Sequence, residues 1–255
     1  MDRGNAGARN LAADVMACIG FYTRLPISAP VGSFAAAQWA APVAGALVGL
    51  VSGATLLVFF WAGASASVSA AAALGAGTLI TGALHEDGLA DLADGFGGGK
   101  TREEKLAIMR DSRVGSFGVL ALLISGLMRW AALAALAAVG SGTALLTLLA
   151  AHAASRALLP LFMMQVPPAR TDGLSASVGE VKRQVAFAAI AIGGFFLLFG
   201  GIGFAAFSAA LLTLWFWFLE RLCRHQTGGQ TGDVLGALQQ GGEVAVLVAA
   251  SAILA

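Results

Sequence analysis

Long apolar runs separated by short polar segments dominate the chain. The runs predict helices over about 40–62, 66–84, 117–139 and 143–165, each close to the roughly 20 residues that cross about 30 Å of hydrocarbon. They are continuously apolar and lack a two-residue alternation, so they favour membrane-spanning helices over a transmembrane β-barrel.

Towards the C-terminus the apolar runs are shorter or interrupted. Residues 185–219 predict a helical hairpin that turns at Gly200–Gly203, with only about 17 residues in each arm. The last run, Val244–Ala255, is too short to span unless its helix begins near Val234 and continues through a polar interruption. We therefore predict an all-α, polytopic transmembrane bundle of about six or seven spans, with residues 1–255 forming one catalytic domain.

The N-terminal segment is apolar but carries charge. Residues 11–27 include Asp14 and Arg24, which suits an interfacial or re-entrant helix better than a full span. No short apolar core followed by a cleavage site occurs near the start, so no removed signal peptide is expected. Two cysteines, Cys18 and Cys223, are too few for a disulfide framework and favour reduced, buried thiols.

Composition supports the membrane assignment. The chain is 58% apolar and 11% charged, with a mean hydropathy of +0.82, whereas a soluble domain carries roughly 25% charged residues. The formal net charge of +1 gives no indication of a nucleic acid partner. The lipid bilayer is the expected environment, and no feature of the sequence indicates an oligomeric state.

Basic residues predict the orientation of the bundle. Thirteen of the fifteen lie in the segments 1–39, 85–116, 166–184 and 220–243, which alternate with uncharged connections. By the positive-inside rule these segments face the cytoplasm. We predict a multi-pass protein of the bacterial inner membrane, with a cytoplasmic N-terminus and an active site that faces the cytoplasm.

Acidic residues concentrate directly after the second predicted span. No ionised side chain occurs between Arg24 and Glu86, and four acids then follow within nine residues. If the preceding helix continues past the membrane surface, Asp87, Asp91 and Asp94 fall at i, i+4 and i+7 on one stripe. Such carboxylates repel each other unless a cation lies between them, and they suit Mg²⁺ bound with substrate phosphates. We predict these three aspartates as Mg²⁺ ligands.

The acidic catalytic loop, about 85–116, also supplies glycines and basic groups. Gly95–Gly99 predicts the end of the helix and a loop whose amides can approach an anion closely. Thr101–Glu104 matches a capping box that begins a short helix. Basic side chains beside carboxylates that bind a metal ion are typical of phosphoryl-transfer sites. The predicted phosphate contacts are Lys105, Arg110 and Arg113, and Asp111 is a fourth ligand or a base. The alternative is a solvated, salt-bridged loop.

The residues of this loop resemble a known family. The motifs HEDGLADLADG, from His85 to Gly95, and RDSRVGSFG, from Arg110 to Gly118, are similar to the hallmark of adenosylcobinamide-GDP ribazoletransferases, the cobalamin synthases. Three further segments occur in the order that this family shows: Thr23–Pro26, Ser155–Ala157 and Gly228–Ala237. Glu86 departs from the pattern, since the family more often has an apolar residue there.

The resemblance implies a Mg²⁺-dependent membrane enzyme of late cobalamin synthesis. It would join adenosylcobinamide-GDP to alpha-ribazole or its phosphate and release GMP. The resemblance also favours a catalytic role for His85, in ligand orientation or proton transfer, and a second phosphate or nucleotide contact at Thr231 and Asp233.

Two arginines fall within predicted spans, where a charge is costly and usually functional. Arg129 lies near the middle of its span, which predicts an inward-facing, substrate-binding side chain. Arg156 lies nearer the cytoplasmic end of the next span. Its side chain either faces the interior of the bundle or extends to the membrane interface by snorkelling. His152 is typical of a hydrogen-bonded core histidine, and Arg170–Gly173 either covers the site or forms a solvated loop.

Two other functions fit parts of the pattern. Asp91-x-x-Asp94-Gly95 resembles part of the CDP-alcohol phosphotransferase signature, but no second Asp-x-x-x-Asp pair follows it. An ion-coupled transporter would place its acids within the spans, whereas these acids follow one. Release of GMP, of CMP or of neither distinguishes the three functions.

Overall fold

The computed structural model describes residues 10–255, and the prediction for the N-terminus falls on residues 1–9, outside this range. Within the described range the chain is helical and has no strand, as the apolar runs predict. The first helices are α1 (Leu11–Tyr22), α2 (Phe34–Ala37), α3 (Ala41–Trp61), α4 (Ala66–Thr81), α5 (Leu84–Gly98) and α6 (Arg102–Ile108). The others are α7 (Ser116–Val139), α8 (Ser141–Gln165), α9 (Leu174–Ser177), α10 (Arg183–Leu197), α11 (Gly201–Gln226) and α12 (Gly232–Ile253).

Five helical segments of the described chain are long and apolar enough to cross a membrane. They are Phe34–Trp61, Ser116–Val139, Ser141–Gln165, Arg183–Gln226 and Gly232–Ile253, and the bent pair of α4 and α5 is a sixth candidate. This confirms the prediction of a polytopic helical bundle.

The α8 helix lies at the centre of the bundle and packs most closely against α3. Gly45, Gly49 and Gly53 lie one turn apart on α3 and face the α8 backbone or side chains between Leu145 and His152. A Cβ atom built at Gly49 would lie 2.6 Å from the Leu148 carbonyl oxygen. Small residues allow this close approach, which is the usual means of helix association in membranes.

The predicted hairpin is confirmed by its contacts with α8. The chain around Gly200 and Phe204 lies beside Thr143, at the start of α8. The other end of α11 returns to the end of α8, where the Arg224 guanidinium donates to the Gln165 carbonyl at 2.6 Å. The last helix, α12, is continuous from Gly232 and includes the polar residues that interrupt the apolar run.

The predicted continuation of the second span into the acidic segment is wrong. The α4 helix ends at Thr81, and α5 leaves it at an angle of 89°. Gly82 and Ala83 both adopt left-handed backbone conformations, with φ of 64° and 58°. The Arg24 amide donates to the Ile80 carbonyl at 2.7 Å, and the Arg24 side chain occupies the space beside Gly82. The acidic stripe therefore lies on a separate helix.

The predicted glycine loop after the stripe is also wrong, because α5 continues to Gly98. A side chain at Gly95 would contact Met109, and one at Gly97 would contact Phe117. These glycines therefore permit close packing of α5 against neighbouring elements. The capping box that follows is confirmed, since Thr101 and Glu104 exchange the expected bonds at the start of α6.

The close contact of α3 with α8 leads to a prediction about stability. Gly49→Leu places a side chain against the α8 backbone, so we expect it to lower the thermal midpoint in detergent, by an amount equivalent to about 1–3 kcal/mol. Gly126→Leu on α7 is the matched control, because nothing lies within 4 Å of that Cβ position. Equal midpoints for the two variants would contradict the packing.

Candidate active site

The site forms where α5 crosses the first turns of α12. A Cβ atom at Gly236 would lie 3.0 Å from the Gly88 Cα atom and 3.1 Å from the His85 carbonyl oxygen, so only glycine allows the backbones to lie this close. The crossing places Asp87 of α5 and Asp233 of α12 around one cavity. Acids 146 positions apart in the chain are thereby brought together.

Two carboxylates of α5 are available to a ligand. Asp91 is half-buried, and its electrostatic neighbours are Asp87, Asp233 and Asp94. Asp87 is exposed. Neither the Asp87 nor the Asp91 carboxylate accepts a hydrogen bond from any residue between 10 and 255. Mutual repulsion of uncompensated carboxylates favours a cation among them.

The third acid of the stripe has a different environment. The Asp94 carboxylate is buried and accepts the Gly115 amide at 2.6 Å and the Gly118 amide at 2.9 Å. It therefore satisfies backbone donors at the start of α7, as an N-cap residue does. This contact joins the two sequence motifs of the acidic loop.

The carboxylate oxygens of the site suit a cation that takes part of its coordination from the substrate. Within residues 10–255 no group of three or more His, Cys, Asp or Glu side chains has the spacing to hold a metal ion. Mg²⁺ is usually bound through one or two carboxylates together with phosphate oxygens and water. Two carboxylates from among Asp87, Asp91 and Asp233 match that donor set, so the residues present fit the ion.

The α12 end of the site is built around Thr231 and Asp233. The Thr231 hydroxyl caps α12 by accepting the Val234 amide at 3.3 Å, and it donates to Asp233 at 3.1 Å. Arg170 approaches Asp233, with an N–O distance of 3.9 Å. Its Nη1 atom is buried and has no partner among the described residues. An unpaired guanidinium donor beside the acid cluster suits a phosphate oxygen.

The predicted phosphate contacts on and after α6 are occupied by protein groups. Lys105 is buried and donates to the Gly99 carbonyl at 2.7 Å, at the end of α5. Arg110 pairs with Asp172 at 2.5 Å. Arg113 pairs with Asp111 at 2.6 Å, and its guanidinium holds the Asp111 pKa below the ordinary value. Asp111 is therefore ionised and already paired, a poor arrangement for a general base.

His85 faces the same cavity as the acids. The cavity, of about 120 Å³, lies between α1, α5, α8 and α12, and Tyr22, Asp87 and Asp233 contribute to its lining. His85 is 3% exposed, and both of its ring nitrogens lack a partner among the described residues. Its ring lies 6.0 Å from that of Tyr22, at an angle of 14°.

Arg129 points into the bundle, as predicted, but its partners are protein carboxylates. Its Nη1 atom lies 3.2 Å from Glu243 Oε1 and 3.4 Å from Glu86 Oε1. All three side chains are largely or fully buried, with exposures of 8%, 1% and 14%. Arg129 therefore ties α7 to α12 and α5, and its guanidinium does not face the acid cluster.

Arg156 and His152 extend this buried network onto α8. Arg156 is 1% exposed, so it does not snorkel. The His152 Nδ1 atom lies 3.1 Å from Arg156 Nη1 and 3.3 Å from Glu243 Oε2. Because the same ring nitrogen lies beside both groups, it donates to Glu243 when it is protonated and accepts from Arg156 when it is not, so the tautomer decides which bond forms.

Sequence reasoning did not assign Arg170, Tyr22 and Glu243 to these sites. Arg170 was noted only as part of a connection that either covers the site or is solvated. Glu243 had a signal, because it is an acid inside the last apolar region, where a charge needs a partner. No sequence signal distinguishes Tyr22, the chain's only tyrosine, from ordinary interfacial aromatic residues.

Comparison with known proteins identifies the family of the chain. The family model for cobalamin-5-phosphate synthase matches residues 14–251. The chain belongs to this family. A relative from Mesorhizobium japonicum is 50% identical over 96% of this chain and 95% of its own length, and one from Bradyrhizobium diazoefficiens is 48% identical over 98% and 97%. Both are named adenosylcobinamide-GDP ribazoletransferase. No solved structure matches the chain.

Membership of the cobalamin-5-phosphate synthase family confirms the resemblance found in the acidic loop and the prediction of an enzyme. The match includes α5, α7 and α12, which carry the free acids, the Asp94 cap and the buried network. The roles of the individual site residues stay predictions.

The different environments of Asp91 and Asp94 lead to a testable contrast. Asp94→Ala removes the acceptor for two backbone amides at the start of α7, so we expect it to destabilise the protein by about 1–2 kcal/mol. Asp91→Ala relieves repulsion and should leave the thermal midpoint unchanged or raised. Unfolding in detergent measures both, and a larger loss in Asp91→Ala would contradict the assignment.

The buried network leads to a second prediction. Glu243→Gln removes the closer of the two carboxylates that pair with Arg129 and the carboxylate beside His152, so we expect a loss of about 3–5 kcal/mol. Arg113→Met is the matched control, because that guanidinium is 85% exposed. An unchanged thermal midpoint for Glu243→Gln would show that the network is not a structural tie.

Proposed function

We propose that this protein joins adenosylcobinamide-GDP to alpha-ribazole or its phosphate and releases GMP, with Mg²⁺ as the cofactor. The observation that carries the proposal is an acid cluster at the edge of a largely apolar cavity, formed by the unpaired carboxylates of Asp87 and Asp91 and by Asp233, beside an arginine with a free donor. Membership of the cobalamin-5-phosphate synthase family and the printed names of the relatives support it.

The reaction is an attack of an alcohol on a diphosphate. A ribose hydroxyl oxygen of the ribazole forms a bond to the phosphorus that bears the cobinamide. The bond from that phosphorus to the bridging oxygen breaks, and GMP leaves with that oxygen. The hydroxyl proton passes to a carboxylate, for which Asp87 and Asp233 are placed because both line the cavity.

The donor diphosphate would lie along the face of α5 that carries Asp87 and Asp91. Mg²⁺ held there with Asp233 would neutralise the phosphate oxygens and stabilise the charge that develops on the leaving GMP. Arg170 donates to a phosphate oxygen through its unpaired Nη1 atom. Catalysis then depends on positioning and charge neutralisation, and the protein forms no covalent bond to the substrate.

The orientation in the membrane belongs to the same proposal. We place the acid cluster on the cytoplasmic side of the bacterial inner membrane, because the segments rich in Lys and Arg lie on that side by the positive-inside rule. A nucleotide-linked donor would then reach the site from the cytoplasm, while the apolar helices hold the enzyme in the bilayer.

The test is GMP release by the purified protein in detergent or lipid, with both proposed substrates and Mg²⁺. We expect EDTA to stop turnover, and excess Mg²⁺ to restore it. Asp91→Asn should lower the rate by about 100-fold or more, because it removes a charge that holds the cation. Glu103→Gln, an exposed acid on α6, is the matched control and should retain full activity.

The alternatives predict other results. Release of CMP from a CDP-alcohol, without GMP release from the cobinamide donor, would assign the protein to the phosphotransferase class. Full activity of Asp91→Asn, with an unchanged Mg²⁺ requirement, would remove the acid cluster from the mechanism.

A further inference from the structure

The cavity beside the acid cluster has a chemical character of its own. Its wall is formed largely by apolar side chains from four helices and the α9 region, among them Phe21, Leu159, Met163, Val178 and Leu235. Its volume of about 120 Å³ far exceeds the roughly 10–15 Å³ that one water molecule needs. An apolar chamber of this size, next to a charged cluster, suits an uncharged organic group of several atoms.

One buried polar side chain in the cavity lacks a partner. The two ring nitrogens of His85 have no hydrogen-bond partner among residues 10–255, although the residue is only 3% exposed. A buried imidazole without a partner is costly. His85 lines this cavity and also a small polar pocket beside Arg156 and Glu243. In either neutral tautomer one nitrogen donates and the other accepts, so a nitrogen that faces the cavity would offer a hydrogen bond to its occupant.

An aromatic ring lies beside His85 in the wall of the cavity. The rings of Tyr22 and His85 are nearly parallel, with centroids 6.0 Å apart and an interplanar angle of 14°. The Tyr22 hydroxyl is already engaged, since it donates to Gln38 at 2.7 Å. Tyr22 therefore presents an aromatic surface to the cavity, and His85 supplies the free polar atoms.

We infer that the cavity binds the heteroaromatic base of the ribazole acceptor, an inference that rests on the proposed function. The base would lie among the apolar side chains, and the His85 N–H would donate to the ring nitrogen that does not bear the ribose. Asp87 and Asp233 line the same cavity, so the attached ribose lies against the carboxylates that face the donor diphosphate. The guanine of the donor is the competing occupant.

A pair of acceptors tests the hydrogen bond without altering the protein. Benzimidazole riboside carries the free ring nitrogen, and indole riboside replaces it with a carbon. We expect the wild-type enzyme to use benzimidazole riboside with a kcat/KM about tenfold higher or more, because the indole leaves His85 unpaired. Equilibrium dialysis of the two ribosides against the enzyme should show the same preference in binding.

Variants connect this preference to His85. His85→Leu should lose the discrimination between the two ribosides and raise the KM for benzimidazole riboside about tenfold, while the KM for the cobinamide donor stays unchanged. His85→Gln keeps an N–H donor and should recover part of the preference. His225→Leu, an exposed histidine at the end of α11, is the matched control and should behave as the wild type.

The outcomes separate this inference from the proposed function. If the wild-type enzyme releases GMP but uses both ribosides equally, the base lies elsewhere and the inference is wrong. A higher KM for the donor in His85→Leu would assign the cavity to guanine. If no riboside supports GMP release and neither binds in dialysis, the proposed function fails as well.

Discussion

The Glu243 carboxylate is the group on which the interior of the bundle depends. Arg129 and Arg156 are buried among apolar helices, and an unpaired guanidinium in that setting is costly. Glu243 lies 3.2 Å from Arg129 and 3.3 Å from the His152 ring, which also lies beside Arg156. The Gln239 side chain donates a further bond to it at 2.8 Å. The α7, α8 and α12 helices are therefore held together by charge as well as by packing.

This network also determines where the free acids lie. Glu86 and Asp87 are adjacent on α5, so their side chains point about 100° apart around the helix. Glu86 turns inward to Arg129 and Thr78, and Asp87 is exposed. On α12, Glu243 anchors the middle of the helix while Asp233 stands in its first turn. The same two helices thus carry the buried tie and the unpaired acids, so the tie holds the acids close together against their mutual repulsion.

Much of the architecture follows from the sequence because burial in lipid imposes strong patterns. The spans, the hairpin and the Thr101 capping box are all local consequences of apolar length and turn chemistry. The 89° bend is not, because it depends on Ala83 adopting a left-handed conformation and on Arg24 packing beside Gly82. The role of Asp94 could not be predicted for the same reason. Helical periodicity groups it with Asp87 and Asp91, but its role as an acceptor depends on α7, a helix that begins 22 residues later.

One physical constraint explains where charges lie in the buried network and in the acid cluster. Each ionised group taken into the bundle needs a partner, which is why Arg129, Arg156, Glu86 and Glu243 occur together. At the edge of the bundle three acids have no basic partner among residues 10–255 other than Arg170, at 3.9 Å from Asp233. A fold that neutralises its interior charges and leaves this cluster uncompensated holds the cluster ready for charge brought by a ligand, such as a divalent cation with its phosphates. Because the cluster adjoins an apolar cavity, the proposed substrates match it, since they combine phosphate charge with an uncharged ring.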